Sequence, residues 1–182
     1  MKRRFALLAA IVVITACGLS AQTLAKTEQI PAKTDPWAGL RFLLGSWEAK
    51  TTGGVAQAQA SGVYAFQLEL RDHVLARHST SGACKGPEDF NCQHGDLLYI
   101  YPVGNGEALK AIYFDNEGHV IPYEVSTPKP GTVIFLSDSA QPGPQFRLSY
   151  QLAEGVMTGK FQLKMPGQKE FTSYLEWSGT RQ

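Results

Sequence analysis

The chain predicts an all-β fold, a single antiparallel barrel of roughly ten strands with a short N-terminal helix. Three observations carry that prediction. Long stretches alternate apolar and polar residues with period two, as a strand with one buried face does. Phe146, Leu148, Tyr150 and Leu152, interleaved with Gln145, Arg147, Ser149 and Gln151, are the clearest example. Turn signals such as Glu154-Gly155, Pro166-Gly167 and Asp115-Asn116-Glu117-Gly118 separate the stretches. A meander this long must close on itself or leave open edges, and closed barrels with a cavity commonly bind a small molecule.

Lys2-Arg3-Arg4 is a basic cluster, and residues 5–16 are apolar apart from Thr15. As a helix that run reaches about 18 Å, short of a bilayer core of about 30 Å. Residues 1–21 are therefore expected to be an export signal, not a membrane anchor. Two processing routes stay open. Ile14-Thr15-Ala16-Cys17 before Gly18 resembles the bacterial lipobox, in which Cys17 would be lipidated and become the new N-terminus. Ordinary cleavage would fall after Ala21 or Ala25. Residues 22–36 read as a linker and residues 37–182 as the barrel domain. The expected location is the periplasm or, through lipidated Cys17, a lipid-anchored position in the cell envelope.

Cysteine parity bears on the same question. Three cysteines are present, and lipidation of Cys17 would leave Cys84 and Cys92 as a pair. They bracket a polar, turn-rich loop, and in an oxidising compartment they are expected to form a disulfide. Closing so small a loop stabilises by about 2–3 kcal/mol. A zinc site is the alternative, but two thiols and His94 supply only three ligands, so no metal is expected.

Asp35-Pro36-Trp37 has the form of a helix start, with Leu40, Leu43 and Leu44 as its apolar face and Gly45 as its stop. Strands are expected at 46–52, 57–70 and 73–81. Leu97-Leu98-Tyr99-Ile100-Tyr101 and residues 109–114 are apolar on both faces, so they are either covered or used for docking. Strands at 119–125 and 132–137 come next, then the three alternating strands of the C-terminal third. Formal net charge is +1, from 17 basic and 16 acidic side chains, with no basic block beyond the N-terminus. Nucleic-acid binding is excluded on that ground, because it needs clustered Lys and Arg.

Phe42-Leu43-Leu44-Gly45-Ser46-Trp47, after a short helix and at the head of an all-β chain, resembles the calycins, the lipocalin and fatty-acid-binding protein group. That resemblance implies that Trp47 plugs one end of the barrel under a basic side chain from the last strand, here Arg181. The span from Trp37 to Arg181 is most similar to the exported bacterial DUF1579-type group, through Phe42 to Trp47, Leu97 to Tyr101, and Tyr113-Phe114-Asp115-Asn116-Glu117-Gly118-His119. The haem-binding nitrobindin branch has further glycines after its Trp and a haem-ligating His near its C-terminus. Here Glu48, Ala49 and Lys50 follow Trp47 and no His lies beyond His119, so no cofactor is expected.

The favoured function is non-enzymatic binding of a small apolar or amphipathic molecule inside the barrel. Met157, Phe161, Leu163 and Met165 would line an apolar cavity, with Tyr99 contributing. His78, Thr80 and Ser173 are the polar residues expected to face inward and orient a head group. His78 is placed inside because it shares the phase of Val74 and Ala76. His94, beside Cys92, is expected to face solvent. Ser and Cys nucleophiles have no supporting motif, and no residue is assigned as catalytic. One alternative is an enzyme with acid–base or isomerase chemistry at the barrel mouth, around His78 or Asp115 and His119. The other is a packed barrel that docks proteins through its doubly apolar strands.

Overall fold

The computed structural model describes residues 35–104, 106 and 108–182. The signal, lipidation and cleavage expectations at residues 1–21 lie outside the described residues, as does all of the linker except its last two positions.

Ten antiparallel strands form one closed barrel: β1 (Gly45–Gly53), β2 (Gln59–Glu69), β3 (Val74–Lys85), β4 (Asp96–Val103), β5 (Ala108–Asp115), β6 (Val120–Lys129), β7 (Thr132–Leu136), β8 (Gln145–Ala153), β9 (Val156–Lys164) and β10 (Thr172–Arg181). Each strand pairs with its sequence neighbours, and β1 pairs with β10 to close the ring. Closure removes both free edges, as the length of the meander required. The expected strand at 73–81 runs on to Lys85 because β2 continues to pair with it, as far as Gln59↔Lys85. On its other side β3 pairs with β4 only up to His78↔Leu97. The second half of β3 therefore rises above β4, and the loop bearing the disulfide fills the gap.

The N-terminal helix is shorter than expected. Pro36 and Gly45 leave too few residues between them for a stable α-helix. Turns lead into one 3₁₀ turn, Arg41–Leu43. Asp35 caps the entry, its Oδ1 accepting from the Trp37 backbone N–H at 3.0 Å. The Trp37 indole N–H donates to the Asp72 carbonyl at 2.9 Å, fastening this segment to the β2–β3 turn. Leu40 and Leu43 are fully buried.

This segment seals one end of the barrel. Trp47 is 1% exposed, and its indole N–H donates to the Leu43 carbonyl at 2.8 Å. The Arg181 guanidinium lies over the Trp47 ring, 4.6 Å from its centroid, and donates to the Leu44 carbonyl at 2.6 Å. Gly45 makes that approach possible. Its φ is +110°, and a Cβ there would sit 2.8 Å from the Arg181 guanidinium.

Inward positions carry the core. Phe66, Tyr64, Phe135 and Tyr150 meet edge-on or tilted, with centroids 5.4–6.4 Å apart across four adjoining pairs. Leu75, Leu98, Ile100, Val133 and Met157 fill the space between them and the sealed end. The other end is not filled.

Candidate functional site

A cavity of about 410 Å³ opens at the end away from Trp47. Its walls differ in character. Phe146 and Leu148 of β8, Phe161 and Leu163 of β9, and Leu175 and Trp177 of β10 make an apolar wall. Phe146 and Phe161 stack at 5.8 Å, and Tyr174 meets Phe161 edge-on at 6.2 Å. Trp177 lies flat against β9 because residue 159 is glycine. A Cβ there would fall 2.1 Å from the indole ring.

The facing wall is polar and charged. Arg77 of β3 points inward, since its cross-strand partners Phe66 and Leu98 belong to the core. It is 4% exposed, forms an ion pair with Asp96 at the start of β4, and donates to the Tyr150 hydroxyl. Burial alone would push the Asp96 carboxyl up. The Arg77 charge, with hydrogen bonds from His94 and Ser79, instead holds it down at about 2.

His94 joins this pair to the rim. Its Nδ1 lies 2.8 Å from Glu117 Oε1, and its Nε2 lies 3.0 Å from the Tyr113 hydroxyl and 3.4 Å from Asp96 Oδ2. The hydrogen bond to Asp96 raises the imidazole most, against the opposing effect of burial, and Glu117 adds to it. The result is about 8. Glu117 sits in the β5–β6 turn, which Asp115 shapes by accepting from the backbone N–H groups of Glu117 and His119 at 3.0 and 2.9 Å. His119 Nδ1 closes on Asp115 Oδ2 at 2.8 Å.

The disulfide loop covers part of the opening. Cys84 and Cys92 are bonded, and Cys84, Asp89, Phe90, Asn91 and Cys92 all line the cavity. The loop is tied to the β5–β6 turn. Asn91 Nδ2 donates to Glu117 at 3.1 Å, and Asn116 Nδ2 donates to the Gln93 carbonyl at 2.8 Å. Among the described residues, no group of three or more His, Cys, Asp or Glu is placed to hold a metal ion.

Of the six ligand contacts expected from sequence, Phe161 lines this cavity, and Thr80 borders it at the rim but is exposed and on the same outward phase of β3 as His78. The other four lie elsewhere. His78 is on the outer face, paired with Glu69 at 2.9 Å and set edge-on against Tyr99 at 6.3 Å. Its phase was misleading because Ala76 is fully buried without belonging to the core cluster. Ala76 lies opposite Gln67 and Tyr99, whose side chains shield it from outside. Tyr99 shares that outer face. Met157 is wholly buried in the core, and Ser173 is half-buried just before a register shift in β10. His94, expected in solvent, is instead part of the polar wall. Arg77, Asp96 and Tyr113 were not anticipated. The available signal was the phase Leu75-Arg77-Ser79, which puts an arginine in step with a core leucine.

The raised His94 value sets a pH dependence. The folded protein holds this proton more tightly than the unfolded chain, whose imidazole titrates near 6.5. The stabilisation is therefore complete below about pH 6.5 and is lost as pH rises through about 8. After allowance for solvent screening of a side chain 31% exposed, about 1 kcal/mol should disappear between pH 6.5 and 9. Urea unfolding across that range measures it, and a wild-type drop no larger than that of His94→Gln would refute it.

No protein-family model matches the chain, and no characterised protein matches it either.

Proposed function

We propose that this chain is a calycin-like binding protein of the bacterial cell envelope, related to the exported DUF1579-type group, that holds a small amphipathic molecule in its barrel without transforming it. The observation that carries the reading is the cavity. One end of the barrel is sealed by Trp47, while the other keeps about 410 Å³ open between an aromatic wall and a charged one. A packed structural barrel would have no reason to leave that volume, since unfilled core space costs stability. Two unlike walls suit a molecule with an apolar body and a polar end. Export agrees with a disulfide in the loop that borders the opening.

The test uses N-phenyl-1-naphthylamine, an uncharged dye that brightens when it leaves water. Saturable one-to-one brightening is expected, as is a co-purifying molecule in native mass spectrometry of protein taken from its own host. Absence of both would count decisively against a binding cavity.

One observation favours the acid–base alternative. Asp115 and His119 do line the cavity, together with His94. Asp115 and His119 bond each other, however, His94 is held by Glu117 and Tyr113, and His78, the other expected acid–base group, stands on the outer face.

A further inference from the structure

We infer that the molecule held in the cavity carries a cation at its polar end, an amine or ammonium on an apolar or aromatic body, and that amphiphilic carboxylates are disfavoured. This rests on the cavity-binding reading above and adds the sign of the head group.

The charges at the open end are unequal. The inward-facing cations are Arg77 and the protonated His94, and both are already engaged, Arg77 by Asp96 and Tyr150 through its terminal nitrogens and His94 by Asp96 and Glu117. An incoming carboxylate would have to compete with Asp96, a buried carboxylate that is itself in place. Three more carboxylates line the cavity: Asp115, directly across from Asp96 on β5, and Glu117 and Asp89 in the loops of the mouth. Asp115 is occupied by His119, and Glu117 by His94 and Asn91. Asp89, on the disulfide loop, makes no ion pair among the described residues. The other cations of this end lie at its mouth or on the outer face. Lys50 borders the cavity mouth from the outward phase of β1 with its side chain exposed, and Arg147 and Lys164 stack over Phe171, 4.0 and 5.0 Å from its centroid.

The aromatic groups stand beside those carboxylates. Phe146, Phe161 and Tyr174 form one cluster on the cavity wall, and Phe90 of the disulfide loop also lines it. The Tyr174 hydroxyl is raised first by burial and then by the charges of Glu117 and Asp89, so both carboxylates act on the same region. Aromatic faces attract cations and carboxylates pair with them, whereas both repel an anion. The cavity is the independent feature that turns this charge imbalance into a binding preference. An acidic rim on a filled barrel would select nothing.

The experiment is displacement of N-phenyl-1-naphthylamine by three molecules of one shape, 1-naphthylmethylamine, 1-naphthalenemethanol and 1-naphthaleneacetate, at low ionic strength. The amine should displace the dye at about tenfold lower concentration than the acid, with the alcohol between. The gap should narrow in about 0.5 M salt, which screens charges at the mouth. Asp89→Asn should bring the ratio towards one, and it touches neither Arg77 nor His94. Dye binding with equal or better displacement by the acid overturns the cation preference and leaves the cavity reading intact. A gap that ignores both salt and Asp89→Asn overturns it as well. Failure of the dye itself to bind overturns both.

Discussion

Asp96→Asn should destabilise the barrel by about 3–5 kcal/mol, the cost of stranding a buried charge. Arg77 is 4% exposed and cannot shed its proton, and Asp96 is its only ion-pair partner among the described residues. The amide keeps the shape of the carboxylate and removes its charge, leaving the guanidinium with the Tyr150 hydroxyl as an uncharged acceptor. Removing both partners is a different matter. Arg77→Met with Asp96→Leu replaces a desolvated pair by apolar volume, which is often neutral. The double variant should therefore be more stable than Asp96→Asn alone. Urea unfolding of the three proteins decides it, and a loss below about 1 kcal/mol for Asp96→Asn would show that water reaches the pair. In the wild type this pair also fails at low pH. Asp96 is held near 2, so its contribution is complete above about pH 4 and drains away as pH falls towards 2.

The fold was legible because closure is a property of pattern. About ten strand-length runs, several alternating with period two, with turn residues between them leave few arrangements, and the Gly45-Ser46-Trp47 start indicated which end would be sealed. The site was harder to read for a physical reason. Period two gives each strand two phases, and the sequence must say which phase is inside. In β8 the apolar residues settle it. In β3 they do not, because Leu75 and Ala76 are both buried, one in the core and one beneath outer-face neighbours. The choice between Arg77 and His78 hangs on that ambiguity, and a charged residue is the less natural candidate for the interior. Arg77 is tolerated there because Asp96, nineteen positions away, faces it across the β3–β4 pair. Nothing local to Arg77 announces that partner.

The same pairing explains how the two ends come to differ. On the sealed side, neighbouring strands meet over aliphatic and aromatic side chains, and the 3₁₀ segment closes what remains. On the open side, β3 outruns β4, and the space between is bridged by polar contacts of the loop with the β5–β6 turn. Such contacts exchange with water at little net cost. The stable end and the adaptable end are thus set by where apolar pairing stops.

Trp47→Ala should cost about 3–5 kcal/mol, the range for deleting a large buried aromatic. The indole is 1% exposed, packed under Arg181 and hydrogen-bonded to Leu43, so its removal opens a void that the 3₁₀ turn cannot follow into. Trp47→Phe should cost less, keeping most of the packing and leaving the Leu43 carbonyl short of a donor, a loss of about 1–3 kcal/mol. Binding gives the more informative contrast. Trp47 lies at the opposite end from the cavity mouth, so Trp47→Phe should hold N-phenyl-1-naphthylamine with unchanged affinity although its unfolding midpoint has fallen. Measured together, the two readouts separate the residue that seals the barrel from those that line it. A Trp47→Phe protein that stays folded yet loses dye binding would mean that the two ends are coupled through the Tyr64–Phe66–Tyr150 cluster. In that case the sealed end would itself be part of the binding device.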